Sequence, residues 1–338
     1  MKNSATIIPV SSVDCQVISW KNHLKSAISN TSDLLRYLNI SSTQEQRSLQ
    51  TNFAVRVPIP FANKMEKGNI NDPLLLQVLA TQDENLKVDG YSHDPLKEQI
   101  NNTPGLLHKY HGRVLLLLTG SCAINCRYCF RRHFPYNEQV ALGANLSKNL
   151  TLISDDESIS EVILSGGDPL LLSDKALAEI ILQIESISHV RRLRIHSRLP
   201  IVIPERLTPE LKRCLSSSRL QCSLVIHANH ANEIDPVLGK KLSALAQSGV
   251  TLFNQSVLLK QINDQAKILA DLSEKLFEYQ VVPYYIHLLD PVEGAAHFAI
   301  KESAAITIMQ QLSKMLPGYL LPKLVKEEAY KKSKTIIF

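Results

Sequence analysis

The chain has 338 residues, is 44% hydrophobic and 20% charged, and carries a formal net charge of +5. This is the composition of a soluble protein with a sizeable core, built as one large domain or a core plus an appendage, and the mild charge argues only weakly for an anionic partner such as a nucleic acid. The opening residues 1–12 show no basic region followed by an apolar core, and no run of about eighteen apolar residues follows; a cytoplasmic protein with neither signal peptide nor membrane span is expected.

Residues 1–105 read as a helical, polar-amphipathic region without recognisable chemistry. Ser32-Asp33-Leu-Leu-Arg-Tyr-Leu marks a helix start, and Pro58, Pro60 and Asn71-Asp72-Pro73 punctuate the stretch between helices. From Arg113 the pattern changes. Short apolar runs rich in β-branched residues fall at 114–118, 161–164, 193–196, 223–227, 251–257 and 281–288, and helix-like segments lie among them at 174–186, 209–216, 236–248 and 264–279. After the first interval the strands recur about every thirty residues, the length of one βα unit. Six such units predict a parallel sheet, which an open two-sided sheet and a curled barrel both satisfy. The chemistry-bearing residues sit at strand ends: the cysteines after the first, Gly166-Gly167-Asp168 after the second, Arg198 after the third, His227 at the fourth, Gln255 in the fifth and Asp290 after the sixth. In a barrel those ends share one mouth, where barrel active sites lie. The expectation is therefore a partial (β/α)6 barrel of the TIM type over 106–300. A helix, a Pro317-Gly318 turn and a tail follow over 301–338.

Cys122, Cys126 and Cys129 stand in Ser121-Cys-Ala-Ile-Asn-Cys-Arg-Tyr-Cys-Phe130, a C-x3-C-x2-C run just after the first strand. Three thiolates on one loop can ligate three irons of a four-iron, four-sulfur cluster and leave the fourth open to a ligand. A zinc site would need a fourth ligand, for which His133 is the candidate, and disulfides would suit a secreted chain. Cys15, Cys214 and Cys222 lack ligand spacing and read as buried or incidental thiols. In Leu164-Ser-Gly-Gly-Asp-Pro169, Gly166 and Gly167 let the backbone come close to a ligand, and Asp168 either binds that ligand or caps the following turn. Arg131-Arg132-His133 supplies guanidinium groups suited to a carboxylate.

The cysteine spacing, with Tyr128 before the third cysteine, resembles that of the radical S-adenosylmethionine (SAM) enzymes, which share the partial barrel. Cys-Arg-Tyr-Cys-Phe-Arg-Arg-His-Phe, Leu-Ser-Gly-Gly-Asp-Pro-Leu, Ile-His-Ser-Arg-Leu-Pro, His-Ala-Asn-His-Ala-Asn-Glu-Ile, Asn-Gln-Ser-Val-Leu-Leu and Pro-Tyr-Tyr-Ile-His-Leu-Leu-Asp occur in that order. Together they make the chain, from about Leu106 to Thr335, similar to the lysine 2,3-aminomutase family. The resemblance implies a [4Fe-4S] cluster on the three cysteines, SAM, and pyridoxal 5′-phosphate (PLP) held by a lysine near the C-terminus. Spacing from Pro322 matches that lysine to Lys334. Lys331 and Lys332 are the fallbacks, because Ala-Tyr-Lys-Lys-Ser stands where the family is glycine-rich. Lys109 and Arg113 match the pair that binds the PLP phosphate, and Gln255 matches a residue lining the cofactor site. Arg131 matches the arginine that pairs with the substrate carboxylate. Asp290 and Glu327 match the acids that read the substrate's distal ammonium, with Glu327 in place of an aspartate. Gly166, Gly167, Asp168, Ser197, Arg198 and His227 match SAM contacts. His230 stands nearby as a structural residue, and His287, where an aromatic is common, receives no role.

The reaction so implied is the isomerisation of L-α-lysine to β-lysine by 1,2-amino migration, with an external electron donor reducing the cluster. Within the family the short chain is most similar to the subgroup whose β-lysine a separate ligase attaches to elongation factor P. Two alternatives stand beside it: a free-standing lysine or glutamate aminomutase making a metabolite, and a non-catalytic iron–sulfur or zinc module. The paired acids favour lysine over glutamate, and a non-catalytic module leaves the Gly-Gly-Asp motif unexplained.

Overall fold

Nine strands hydrogen-bond in chain order in the computed structural model, which describes residues 19–41, 53–98, 103–135 and 139–338. Cys15 lies outside the described residues. The strands are β1 (Leu106–Tyr110), β2 (Arg113–Thr119), β3 (Glu161–Gly166), β4 (Arg192–Ser197), β5 (Gln221–His227), β6 (Thr251–Val257), β7 (Val282–His287), β8 (Lys323–Lys326) and β9 (Thr335–Ile336). β2 to β8 are parallel throughout, and β1 and β9 add antiparallel edges. An order that never reverses has no switch point. Its crossovers, all of one hand, put every helix on the same face, so the sheet curls and encloses its other face.

The six sequence-predicted strands are β2 to β7. The parallel sheet then continues into a seventh strand, β8, inside the segment read as a tail. Lys323-Leu-Val-Lys326 is short and charged at both ends, so it carries no strand signal, yet Leu324 and Val325 are buried. The first crossover also contains a helix, Ala144–Asp155, that the polar sequence concealed. Its buried Leu146, Leu150 and Ile153 form one apolar stripe. Of the residues 1–105, those described form short helices at Trp20–Lys25, Thr31–Tyr37 and Ile59–Ala62 and a 3-10 turn at Gln82–Asn85.

Local chemistry sets the helix starts. Ser173 accepts a hydrogen bond from Ala176 N at 3.2 Å, Thr208 from Leu211 N at 3.0 Å and Asp235 from Leu238 N at 2.8 Å, and Pro209 and Pro236 open the last two helices. Helix Asp174–Glu185 buries Leu177, Ile180, Ile181 and Ile184 on one face. Strand residues alternate: Leu193 and Ile195 of β4 join the core beneath the helices, whereas Arg194 and His196 face the barrel interior. Among the described residues, no helix is long and apolar enough to cross a membrane.

Candidate active site

The barrel interior holds a cavity of about 480 Å³ whose wall takes residues from β1 to β7, from β9 and from the segment after β8. Cys122, Cys126 and Cys129 line it from the loop after β2, and none is in a disulfide. Burial pushes the Cys122 thiol well up and the Cys129 thiol up to about 11, and the sulfurs' mutual repulsion adds to both. Protonated thiols are what burial favours until a cation replaces the protons. Among the described residues, no three metal-binding side chains surround a single-ion point. The three thiols edge the cavity, and cysteine thiolates are the usual ligands of an iron–sulfur cluster.

The glycine motif lines the cavity and packs closely on the root of the cysteine loop. A Cβ on Gly167 would lie 2.2 Å from Ser121 O, and one on Gly166, whose φ is +123°, would lie 2.5 Å from Thr119 O. Their absence lets Gly167 N reach Thr119 O at 2.7 Å and Asp168 N reach Ser121 O at 2.9 Å, tying the motif to the root of the cysteine loop. Of the two roles left open for Asp168, the geometry displays the cap. Its buried carboxylate accepts from Leu170 N at 3.0 Å, Ser197 Oγ at 2.7 Å, and Arg198 N and Leu199 N at 2.9 Å each. Ser197 thus spends its hydroxyl on Asp168.

Arg198 lines the cavity as well and reaches the cysteine loop. Nη1 donates to Cys126 Sγ at 3.2 Å, and Nη2 donates to Gln77 Oε1 at 2.8 Å and Glu233 Oε2 at 3.3 Å. His227 lines the cavity, with Nε2 3.4 Å from the Tyr128 hydroxyl, and burial followed by the Arg198 charge holds its pKa well down. Gln255 lines the cavity in register with His227 and Tyr285. His230 accepts from Asn232 N at 3.2 Å as a turn cap. His133 stacks on His93 at 4.2 Å and is not part of the cavity wall.

At the far side of the cavity, Glu327 gathers three donors: Lys109 Nζ at 3.1 Å, the Tyr110 hydroxyl and Lys334 Nζ. Lys109 therefore bonds a carboxylate here, while Arg113 packs 4.8 Å from the Tyr110 ring and makes no ion pair among the described residues. Burial opposes ionisation of Glu327, but the Lys334 ammonium and the other donors outweigh it and hold the pKa down at about 2. Asp290 is half-buried on the same wall, without such donors among the described residues. Burial, then the Glu327 charge, push it up to about 7. Arg131 Nε donates to Glu98 Oε2 at 2.8 Å on the same cavity wall. Of the three candidate lysines, Lys334 alone lines the cavity; Lys331 is exposed and bonds Glu328 at 2.6 Å, and Lys332 is exposed.

Sequence reasoning missed Tyr110, Arg194, His196, Gln77 and Glu233. Arg194 Nε, His196 Nε2 and His287 Nε2 are buried without a partner among the described residues, and all three residues line this cavity. Burial lowers His287 to about 3, so its ring is neutral. Unsatisfied buried donors are costly unless a bound group meets them, so the wall fits a polar, oxygen-bearing cofactor. Period-two alternation within β4 and β7 was the available signal for them.

A family model described as a 4Fe-4S single cluster domain matches residues 110–194. The L-lysine 2,3-aminomutase of Escherichia coli is 50% identical over 319 residues, covering 94% of this chain and 93% of that protein. That of Haemophilus influenzae is 46% identical over 333 residues, covering 98% of each. That of Clostridium subterminale is 35% identical over 310 residues, covering 90% of this chain and 74% of that protein.

Proposed function

The chain belongs to the L-lysine 2,3-aminomutase family, and from that premise we propose that it isomerises L-α-lysine to β-lysine with a [4Fe-4S] cluster, SAM and PLP. The observation that carries the reading is a single cavity whose wall takes both the three cysteines and Lys334, Asp290 and Glu327. When bound, the cluster with SAM supplies a radical able to abstract an unactivated hydrogen, and PLP supplies a conjugated ring for the migrating nitrogen.

The chain's own residues do the rest. Cys122, Cys126 and Cys129 hold the cluster, and the loop carrying Gly166 and Gly167 fixes their position. Arg131 binds the substrate carboxylate through its planar fork. Glu327 and Asp290 take the distal ammonium, and in the ligand-free site the Lys334 ammonium already occupies Glu327. A substrate held at both ends is kept from wandering, and a largely apolar wall excludes the water that would quench reactive intermediates. Lys334 Nζ holds PLP, Arg113 with Lys109 meets its phosphate, and Gln255, Ser197, Arg198 and His227 border the SAM side.

Two carboxylates facing the distal end oppose a substrate that carries a third, so lysine rather than glutamate is the substrate. The β-lysine serves modification of elongation factor P through a separate ligase, and an external donor supplies the electron. A reducing compartment, the cytoplasm, keeps the ligating cysteines as thiols. Anaerobically reconstituted protein should convert lysine and leave glutamate untouched; turnover of glutamate alone overturns the assignment. Lys334→Ala should lose the visible absorbance of bound PLP and all isomerisation while keeping the iron–sulfur chromophore. Retained PLP absorbance would move the role to Lys331 or Lys332.

A further inference from the structure

The Arg198 guanidinium is held at both terminal nitrogens. Its backbone N donates to Asp168 at 2.9 Å, Nη1 donates to Cys126 Sγ at 3.2 Å, and its plane lies 5.7 Å from the Phe61 ring and 5.6 Å from the Tyr128 ring. Nη2 is shared by Gln77 and Glu233, two fully buried side chains that also bond each other, Gln77 Nε2 donating to Glu233 Oε1 at 3.1 Å. Gln77 Oε1 further accepts from Asn229 Nδ2 at 2.9 Å, and Glu233 Oε1 from Asn229 N at 2.9 Å. Neither Gln77 nor Glu233 borders the cavity. Burying a carboxylate and an amide in full is expensive, and here both bond the cation that reaches one sulfur, while the carboxylate also accepts from the backbone N of Asn229 and His230.

A positively charged donor on a cluster-ligating sulfur draws off negative charge and makes an added electron easier to hold. We infer that Gln77 and Glu233 are positioning residues that hold Arg198 on the Cys126 sulfur, and that this bond raises the reduction potential of the cluster. The inference rests on the proposed function for the presence of the cluster. It assigns to the chain before the barrel a part in electron uptake, acting through Arg198 and without contact to SAM or lysine.

The test is a reductive titration, followed by electron paramagnetic resonance, of reconstituted protein free of SAM and lysine. Gln77→Met keeps the volume but removes the acceptor that steadies Nη2, and its midpoint should move to a more negative value. Arg198→Lys keeps the charge but cannot bridge Cys126 to Gln77 and Glu233, and it should move the same way. The double variant should shift no further than Arg198→Lys alone, because Gln77 acts through Arg198. Should Gln77→Met fail to fold, Arg198→Lys decides. Variants with full iron and sulfide at the parent's potential overturn the inference. Parent protein that takes up no four-iron cluster overturns the proposed function instead.

Discussion

Asp290 and Glu327 are two carboxyl groups in one site, and their pKa values are driven in opposite directions. Glu327 keeps its charge because three donors converge on it, whereas Asp290, half-buried on the same wall as that charge, is pushed up to about 7. Neighbouring acids whose surroundings drive their pKa values apart divide their roles. A lysine ammonium favours ionised Asp290, so binding below about pH 7 must displace a proton. Lysine affinity should rise with pH up to that point, by up to about tenfold per unit, and then level off. KM measured from about pH 5.5 to 8.5 checks this, and Asp290→Asn should flatten that limb while weakening binding throughout. Stability of the ligand-free protein should run the other way. The folded state holds the Asp290 proton that the unfolded chain releases, so this group costs stability as pH rises from its ordinary 3.8 towards 7.

At the scale of elements, the cysteine loop owes its place to two missing methyl groups. Gly167→Ala would drive a Cβ to 2.2 Å from the Ser121 carbonyl, where backbone rather than a flexible side chain must yield. The expected cost is about 1–3 kcal/mol, with the loop displaced and iron uptake reduced. Gly318→Ala meets nothing within 4 Å and should stay within about 0.5 kcal/mol of the parent; paired denaturation curves and iron assays separate the two. The same motif shows what a sequence exposes. Two glycines after a strand announce a close approach, but what is approached, Thr119 and Ser121, is set by the pairing of β2 with β3. Strands β2 to β7 were legible from their β-branched runs, and the cysteine triad from spacing alone. β8 was not, because Lys323 and Lys326 mask two buried residues. Arg198 was legible as a site residue but not as a partner of Cys126, since that bond depends on where Gln77 arrives from more than a hundred residues upstream.

Over the whole molecule, the chain before the barrel builds the back of the reaction site. Among the described residues, Trp20, Leu34, Phe61 and Leu75 share a continuous core with Leu116, Leu164 and Leu224 of the strands, and Ala305, Met309 and Leu324 pack with Leu258 and Ile286. The polar tie is Glu84. It accepts from Arg127 Nε at 2.7 Å and from Arg132 Nη2 at 2.6 Å, with the side chains of all three almost wholly buried. Arg127 also donates to Phe53 O at 2.7 Å, and its backbone N donates to Gln77 O at 2.9 Å. Since Arg127 lies between Cys126 and Cys129, this clamp grips the cluster loop from behind. Removing its one carboxylate strands two buried guanidinium groups, and breaking a buried ion pair costs about 3–5 kcal/mol. Glu84→Gln keeps the shape and one acceptor, so its loss should fall near the lower end, and Glu84→Ala should fall near the upper. Both should unfold in a single transition if barrel and N-terminal stretch are one unit. Denaturant titration with fluorescence from Trp20, which packs against the buried Arg206, followed beside far-ultraviolet circular dichroism, would show it. Coincident curves shifted to lower denaturant, with iron lost in step, are the expected result. A Trp20 transition that separates from the dichroism would make the N-terminal stretch an independent unit and remove its claim on the cluster loop.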